Sequence, residues 1–261
     1  MILLSFDIEE FDMPFEYQKN ISFDDQIGIS IAGTTIILDI LQKNNVKATF
    51  FSTVVFAENA PKIIDRIIAE GHELASHSYF HSQFEVAHLK SSKLRLEALS
   101  KSKINGFRMP RMQPVDENDI FDAGYQYNSS LNPTYLPGRY NHFSKPRRFF
   151  YDQKVLQIPA SVSPIIRFPL FWLSFHNLPL FLYKWLCIKT LNTDKYLNLY
   201  FHPWEFIDLS DQTIFGFPAY VSKNSGQKMA ARMDNFIQYM KNKKYEFATF
   251  QTFIETMVLK K

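Results

Sequence analysis

The chain opens MILLSFDIEEFD, and this run from Met1 to Asp12 decides how the rest is read. Residues 2–6 are apolar except for Ser5 and run straight into Asp7-Ile8-Glu9-Glu10, the pattern of a core strand that ends in acids. Side chains alternate between two faces of an extended chain, so Asp7 and Glu9 share one side and Glu10 takes the other. Carboxylates on one side of a buried strand end are costly unless a cation or hydrogen bonds offset their desolvation. Asp7 follows five apolar or small residues and is the hardest to explain as solvated; Glu10 and Asp12 read as solvated acids with capping duties. The same run lacks the basic region and cleavage site of a secretory signal, so, taken as the native start, it predicts a cytoplasmic protein.

Working outward, strand-like pieces at 48–52, 73–76 and 106–109 alternate with helical stretches at 29–43, 61–70 and 85–100. Pro61 suits a first helical turn and Gly71 a helix end. Such alternation predicts βαβ units and a parallel sheet. In a parallel barrel, functional groups sit on loops at the strands' C-terminal ends. The acids after strand one, the histidines after strand three and Arg108 near the end of strand four all fall there. From residue 132 to 164 five prolines punctuate short β-like pieces at 148–151 and 155–158. A strand at 196–201, a helix at 227–243, a last strand at 246–250 and a short helix complete the chain. No linker divides it, so residues 1–261 read as one domain.

Composition narrows the function. Among 261 residues, 26 phenylalanines stand against 8 glycines, an aromatic load unusual for a soluble domain. The 29 basic and 26 acidic residues are too evenly balanced for a dedicated nucleic-acid binder. The lone Cys187 excludes an intrachain disulfide framework and favours a reducing compartment.

His77-Ser78-Tyr79-Phe80-His81 places two imidazoles at i and i+4, on one face if the segment is a helical turn. With the acids of strand one they offer two imidazoles, one carboxylate ligand and one carboxylate to spare. That set suits Zn²⁺, Co²⁺, Ni²⁺ or Fe²⁺, and the spare carboxylate can act as a general base. Arg108 lies in an apolar strand, where its guanidinium can hold a carboxylate ionised; Arg111 reads as surface or substrate-facing. His202 ends the strand Leu199-Tyr200-Phe201 at the same edge and can protonate a leaving amine. His72 should begin its strand at the opposite edge, His88 sits on an exposed helix, and His176 reads as a hydrogen-bonded structural histidine.

The motifs SFDIEEFD, HSYFH, FRMPR and LYFHPWE, in this order and with KATFF and GHELASH between the first two, resemble the polysaccharide deacetylases, the NodB-homology or carbohydrate esterase family 4 group. The resemblance covers nearly the whole chain. It implies an α/β fold, a distorted (β/α)7-type barrel, and hydrolysis of an N-acetyl group, usually on an acetamido sugar, with one divalent metal ion for which zinc is the first expectation. It further implies that Asp7 is the base, that Glu9, His77 and His81 are the metal ligands, that Arg108 orients Asp7 and that His202 is the general acid. The usual first motif has two adjacent aspartates; here Ile8 separates Asp7 from a glutamate, as in a subgroup with Asp-x-Asp/Glu spacing that includes allantoinase-like amidases. The family's fourth-motif acid has no clear match, and His142 lies in roughly that region without an assigned role.

The expected substrate is an acetylated sugar or oligosaccharide of a cell-surface polysaccharide or its lipid-linked precursor. The alternatives are an amidase of another C–N bond, a ferrous oxygenase and a non-catalytic carbohydrate-binding relative. The aromatic segment 165–188, IIRFPLFWLSFHNLPLFLYKWLCI, is too broken by charge and proline to span a membrane. It reads as an insertion that packs on the barrel as a flap, forms a dimer contact or touches a membrane interface peripherally. The oligomeric state is not legible.

Overall fold

The computed structural model describes residues 1–137 and 140–259. Its strands are β1 (Ile2–Ile8), β2 (Thr49–Ser52), β3 (Glu73–Ser76), β4 (Gly106–Phe107), β5 (Tyr127–Asn128), β6 (Tyr135–Leu136), β7 (Tyr140–Asn141), β8 (Phe150–Asp152), β9 (Val155–Gln157), β10 (Leu197–Phe201) and β11 (Phe247–Ala248). The helices are α1 (Phe23–Asn44), α2 (Val54–Asn59), α3 (Pro61–Ala69), α4 (Ala87–Ser100), α5 (Glu117–Asp122), α6 (Trp172–Asn177), α7 (Leu180–Asp194), α8 (Ala219–Ser222), α9 (Gln227–Asn242) and α10 (Phe250–Phe253).

Seven strands lie side by side in the order β10-β1-β2-β3-β4-β5-β9, every neighbouring pair parallel. This is the expected (β/α)7-type arrangement, a curled sheet with helices outside. β8 adds an antiparallel edge beside β9. β11 pairs with Ile2 and Leu3, the part of β1 that precedes its pairing with β2. The curl is closed by side chains as well as strands. At the seam between β9 and β10, Ser161 N–H donates to the Asn198 carbonyl at 2.9 Å. The buried Asn198 amide donates to the carbonyls of Ile158 and Pro159 at 3.0 and 3.1 Å.

The two-residue period of β1 sorts its side chains between two cores. Ile2, Leu4, Phe6 and Ile8 are fully buried against the helices, packed with Phe50, Leu38 and Phe201. Leu3 points inward with Phe51, Tyr127, Phe250 and Phe253, and the last two plug the floor of the barrel. Each such side chain is worth about 1.5–3 kcal/mol of burial, so a one-residue slip of β1 would be costly. That register carries Asp7 and Glu9 to the inner side at the open end.

Local chemistry sets the boundaries. α1 starts at Ser22, whose hydroxyl accepts the Asp25 N–H, and stops at Asn45 in the left-handed region. Its Gly33 lies so close to the Pro203 carbonyl that a Cβ there would sit 2.0 Å from the oxygen. This contact locks α1 onto the turn Pro203–Phe206 that follows β10. Several boundaries differ from the sequence reading. The last strand is only Phe247–Ala248, because Thr249 caps a new helix by accepting the Thr252 N–H. The fourth strand stops at Phe107, because Pro110 begins a 3-10 turn soon after it. The loosened stretch after residue 132 is a β6–β7 hairpin plus β8, standing where a crossover helix would join β5 to β9. The aromatic segment folds into α6 and most of α7, with Phe175, Tyr183 and Cys187 buried in the outer core.

Candidate active site and metal centre

The functional groups gather in a cleft at the C-terminal ends of the strands. Asp7, Glu9, His77, His81 and His202 all line it, with Phe171, Trp172, Tyr200 and Trp204 as its aromatic walls. The structure therefore brings together Asp7, Glu9, Arg108, His77, His81 and His202, all six residues singled out from sequence.

Arg108 is completely buried and ion-paired with Asp7, Nη1 to Oδ1 at 2.5 Å. Its other donors are committed to one residue: Nε donates to the Ser129 carbonyl at 3.1 Å and Nη2 to the Ser129 hydroxyl at 3.0 Å. The guanidinium lies 4.0 Å from the Phe51 ring centre. Burial pushes the Asp7 carboxyl up, but Arg108, then His77 and His202, more than offset it, and the group is held below the ordinary aspartate range.

His77 and His81 lie on an irregular loop after β3, with Ser78 at φ +71°, and not on the helical turn their spacing suggested. The rings are nearly parallel, 25° apart, with centres 5.9 Å apart. Each has its Nδ1 occupied: His77 donates to the Arg108 carbonyl at 2.8 Å, and His81 donates to Asp12 Oδ1 at 2.7 Å. The tautomer that follows leaves both Nε2 lone pairs free. Both point at one atom, Glu9 Oε2, at 3.0 and 3.1 Å. That oxygen is buried and receives no hydrogen bond. The ligand atoms of the three residues lie within 4.8 Å of one another. Lone pairs converging on an orphaned carboxylate oxygen fit a divalent cation.

Two acids depart from the sequence reading. Asp12 is 7% exposed, not solvated; it holds His81 and also accepts from Ser82 and Arg111. Burial raises its pKa, but the His81 hydrogen bond and charge, Ser82 and Arg111 bring it down to about 2. Glu10 is also buried and accepts the Thr53 hydroxyl at 2.5 Å, and its burial pushes its pKa up. A carboxylate bracing the distal nitrogen of a histidine is the usual outer support of a metal ligand.

The opposite wall holds a chain that sequence reasoning missed. His202 Nδ1 donates to Glu205 Oε1 at 3.0 Å, and His176 Nε2 donates to Glu205 Oε2 at 3.1 Å. The His202 backbone N–H adds a bond to Oε1 at 2.6 Å. Glu205 is fully buried and His176 is 1% exposed. His202 stacks on Trp204 at 4.9 Å, and its Nε2 faces Asp7 Oδ2 across 3.9 Å. Burial pushes the His202 pKa down, but the Glu205 hydrogen bond, Glu9, and the charges of Glu205 and Asp7 raise it above the ordinary histidine value. A sequence signal for Glu205 existed: His-Pro-x-Glu has the three-residue spacing of a capping box, with proline in the first turn. His176, on α6, had no local signal.

The remaining predicted histidines are placed away from this chemistry, and Arg111 stands at its edge. His72 lies at the opposite end of the barrel, where its Nδ1 accepts the Ala48 N–H at 3.2 Å. His88 is half-buried, with Nδ1 accepting the Glu85 N–H. Arg111 reaches the cleft rim, bonded to Asp12 and Glu16. His142 N–H donates to the Thr134 carbonyl at 2.9 Å in the β6–β7 hairpin, outside the cleft lining.

Residues 19–127 match the sequence profile of the family described as Polysaccharide deacetylase. Over 94 residues the chain is 32% identical to a chitooligosaccharide deacetylase of Bradyrhizobium sp. (strain ANU 289), covering 36% of this chain and 41% of the relative. Over 61 residues it is 46% identical to a peptidoglycan-N-acetylglucosamine deacetylase of Bacillus cereus, covering 23% of this chain and 22% of that one. The chain thus spans less than half the length of these curated relatives. The crystal structure of a putative polysaccharide deacetylase from Mycobacterium smegmatis superposes with a TM-score of 0.67 at 18% identity, covering 99% of this chain and 90% of that one; at that identity the likeness speaks for the fold.

Proposed function

We propose that the chain, whose residues 19–127 match the profile of the polysaccharide deacetylase family, is a metal-dependent hydrolase of that family that removes the N-acetyl group from an acetamido sugar of a cell-surface polysaccharide or its precursor. The observation that carries the reading is the orphaned Glu9 Oε2, met by the Nε2 atoms of His77 and His81, beside the Asp7–Arg108 pair. Glu9, His77 and His81 would hold the cation, with zinc the first expectation from a set of two imidazoles and a carboxylate. When bound, such a cation supplies Lewis acidity at neutral pH.

The chain's own residues divide the remaining work. Asp7, kept ionised by Arg108, takes the proton of the attacking water as general base. Arg108 fixes the carboxylate through Oδ1 and leaves Oδ2 facing the cleft. His202 protonates the departing amine, and Glu205 favours its protonated form and aims Nε2 at the cleft. His176 holds the far oxygen of Glu205. Phe171, Trp172, Tyr200 and Trp204 present flat apolar faces suited to a sugar ring and keep bulk water from the reacting amide.

The test is acetate release from an N-acetylated chitooligosaccharide by the purified chain, with and without chelator and with Zn²⁺ added back. Release that disappears on chelation and returns with the metal supports the reading. Release indifferent to chelation, or turnover only of ureides, sinks it.

A further inference from the structure

We propose that the flank formed by the tip at 163–169 and the neighbouring helix α7, joined where the Tyr183 hydroxyl donates to the Leu170 carbonyl, is a docking face for an anionic lipid bilayer. This goes beyond the catalytic reading and does not depend on it. Residues 123–193 contain eight Lys/Arg and one acid, Asp152, in a chain that as a whole carries 29 basic and 26 acidic residues. Arg147 of this stretch is paired with Asp194 just beyond it, at 2.5 Å. An excess of basic residues in the stretch that carries this flank favours an anionic partner.

The same flank displays large apolar side chains in water. Ile165 and Ile166 are 91% and 70% exposed, and Phe181 and Trp185 are 77% and 52% exposed. The isoleucines sit on a braced tip. Ser163 N–H donates to the Phe168 carbonyl at 2.8 Å, Phe168 N–H donates to the Ser163 hydroxyl at 2.9 Å, and Val162 pairs with Pro169. Arg167 Nη1 donates to the carbonyls of Pro133 and Lys145, at 3.2 and 2.6 Å, and the Thr134 hydroxyl donates back to the Arg167 carbonyl at 2.6 Å. Ile165 is held at φ +69°, a conformation β-branched residues avoid. The fold therefore fixes two aliphatic side chains outward at a conformational cost.

On α7, Phe181 and Trp185 stand four residues apart on one face, and the next turn brings Lys189, its ammonium 5.1 Å from the Trp185 ring centre. Tryptophan and phenylalanine flanked by lysine suit the boundary between headgroups and acyl chains. Lys145, Arg148, Arg167, Lys184 and Lys189 would gain from the negative surface potential of such a bilayer. Ile165 and Ile166 favour lipid over a nucleic acid, since aliphatic side chains do not provide the stacking that bases use. No helix among the described residues is long and apolar enough to cross a membrane; the contact proposed is of this face with the bilayer surface. Leu136, on the hairpin to which the tip is tied, lines the catalytic cleft, so a docked molecule opens its cleft beside the headgroups.

The experiment is cosedimentation of the full chain with vesicles of phosphatidylcholine, alone or mixed with phosphatidylglycerol, without any sugar substrate. Binding should be at least about tenfold stronger to the mixed vesicles and should weaken as salt rises. Ile165→Ser/Ile166→Ser and, separately, Phe181→Ser/Trp185→Ser should each weaken it by about tenfold or more, with near-UV circular dichroism confirming that both variants are folded. Absence of vesicle binding by the wild type, or folded variants that bind as the wild type does, overturns the proposal. A dimer in sedimentation velocity that the same substitutions dissolve, without vesicle binding, assigns the face to a second copy and also overturns it. Because no turnover is read, failure here leaves the deacetylase reading standing, and loss of that reading leaves this one.

Discussion

Two clusters of histidine and glutamate face each other across the cleft, built from the same residue types and wired oppositely. At Glu9, two imidazoles direct Nε2 at one carboxylate oxygen that no donor reaches, because their Nδ1 protons are committed to the Arg108 carbonyl and Asp12. At Glu205, the carboxylate takes three donors: the His202 N–H, His202 Nδ1 and His176 Nε2. The first arrangement accumulates lone pairs and calls for a cation. The second is saturated and presents one imidazole to the cleft, that of His202. Residue type alone does not separate a metal site from a proton-handling site; the direction in which each imidazole spends its proton does.

This contrast makes predictions that differ in kind and in size. At the converging cluster, His77→Ala should remove bound metal and lower acetate release by about 10³-fold or more, since the Lewis acid is lost with its ligand. Asp7→Asn should leave the metal in place and cost about 10²–10⁴-fold, the range of a general base. Both are read by metal analysis beside initial rates.

At the saturated cluster the metal should be untouched. Glu205→Gln should lower kcat by about 10–100-fold and move the alkaline limb of the pH profile to lower pH. The sign follows from His202. Its pKa is raised by Glu205 against the effect of burial, and the acid works only when protonated, so activity falls as pH rises through that raised value. Removing the negative charge lowers the value and brings the fall earlier. An alkaline limb that stays put in Glu205→Gln would break the comparison.

His176→Phe should have a smaller effect, about 3–10-fold in kcat, with the same acidward displacement, and His176→Gln should recover most of it by restoring a donor. The smallest expected change in rate comes from Gly33→Ala, which acts through packing. Its Cβ would meet the Pro203 carbonyl, so the variant should lose about 1–3 kcal/mol of stability by denaturant unfolding.

Legibility in the sequence follows the same division. Asp7, Glu9, Arg108 and His202 could be found because each is a polar residue at the end of an apolar strand, and the alternation of β1 fixed which acids face inward. His77 and His81 were visible by spacing, although an irregular loop, not a helical turn, unites them. Asp12 was misread as solvated because nothing local shows that His81 folds over it. His176 lies 29 residues from Glu205 and meets it only because α6 packs against β10. The short β5 and the seam at Asn198 were also hidden. Two-residue strands carry no period, and a side-chain amide that replaces a ladder has no pattern at all.

The central claim is that Glu9, His77 and His81 hold a metal while Asp7 handles a proton beside it. Bound metal and acetate release, measured together on wild type, His77→Ala and Asp7→Asn, test it most directly. Wild type should show one equivalent of metal per chain with turnover, His77→Ala neither, and Asp7→Asn the metal without the turnover. Acetate release that survives both substitutions, or a full equivalent of metal retained in His77→Ala, would contradict the account.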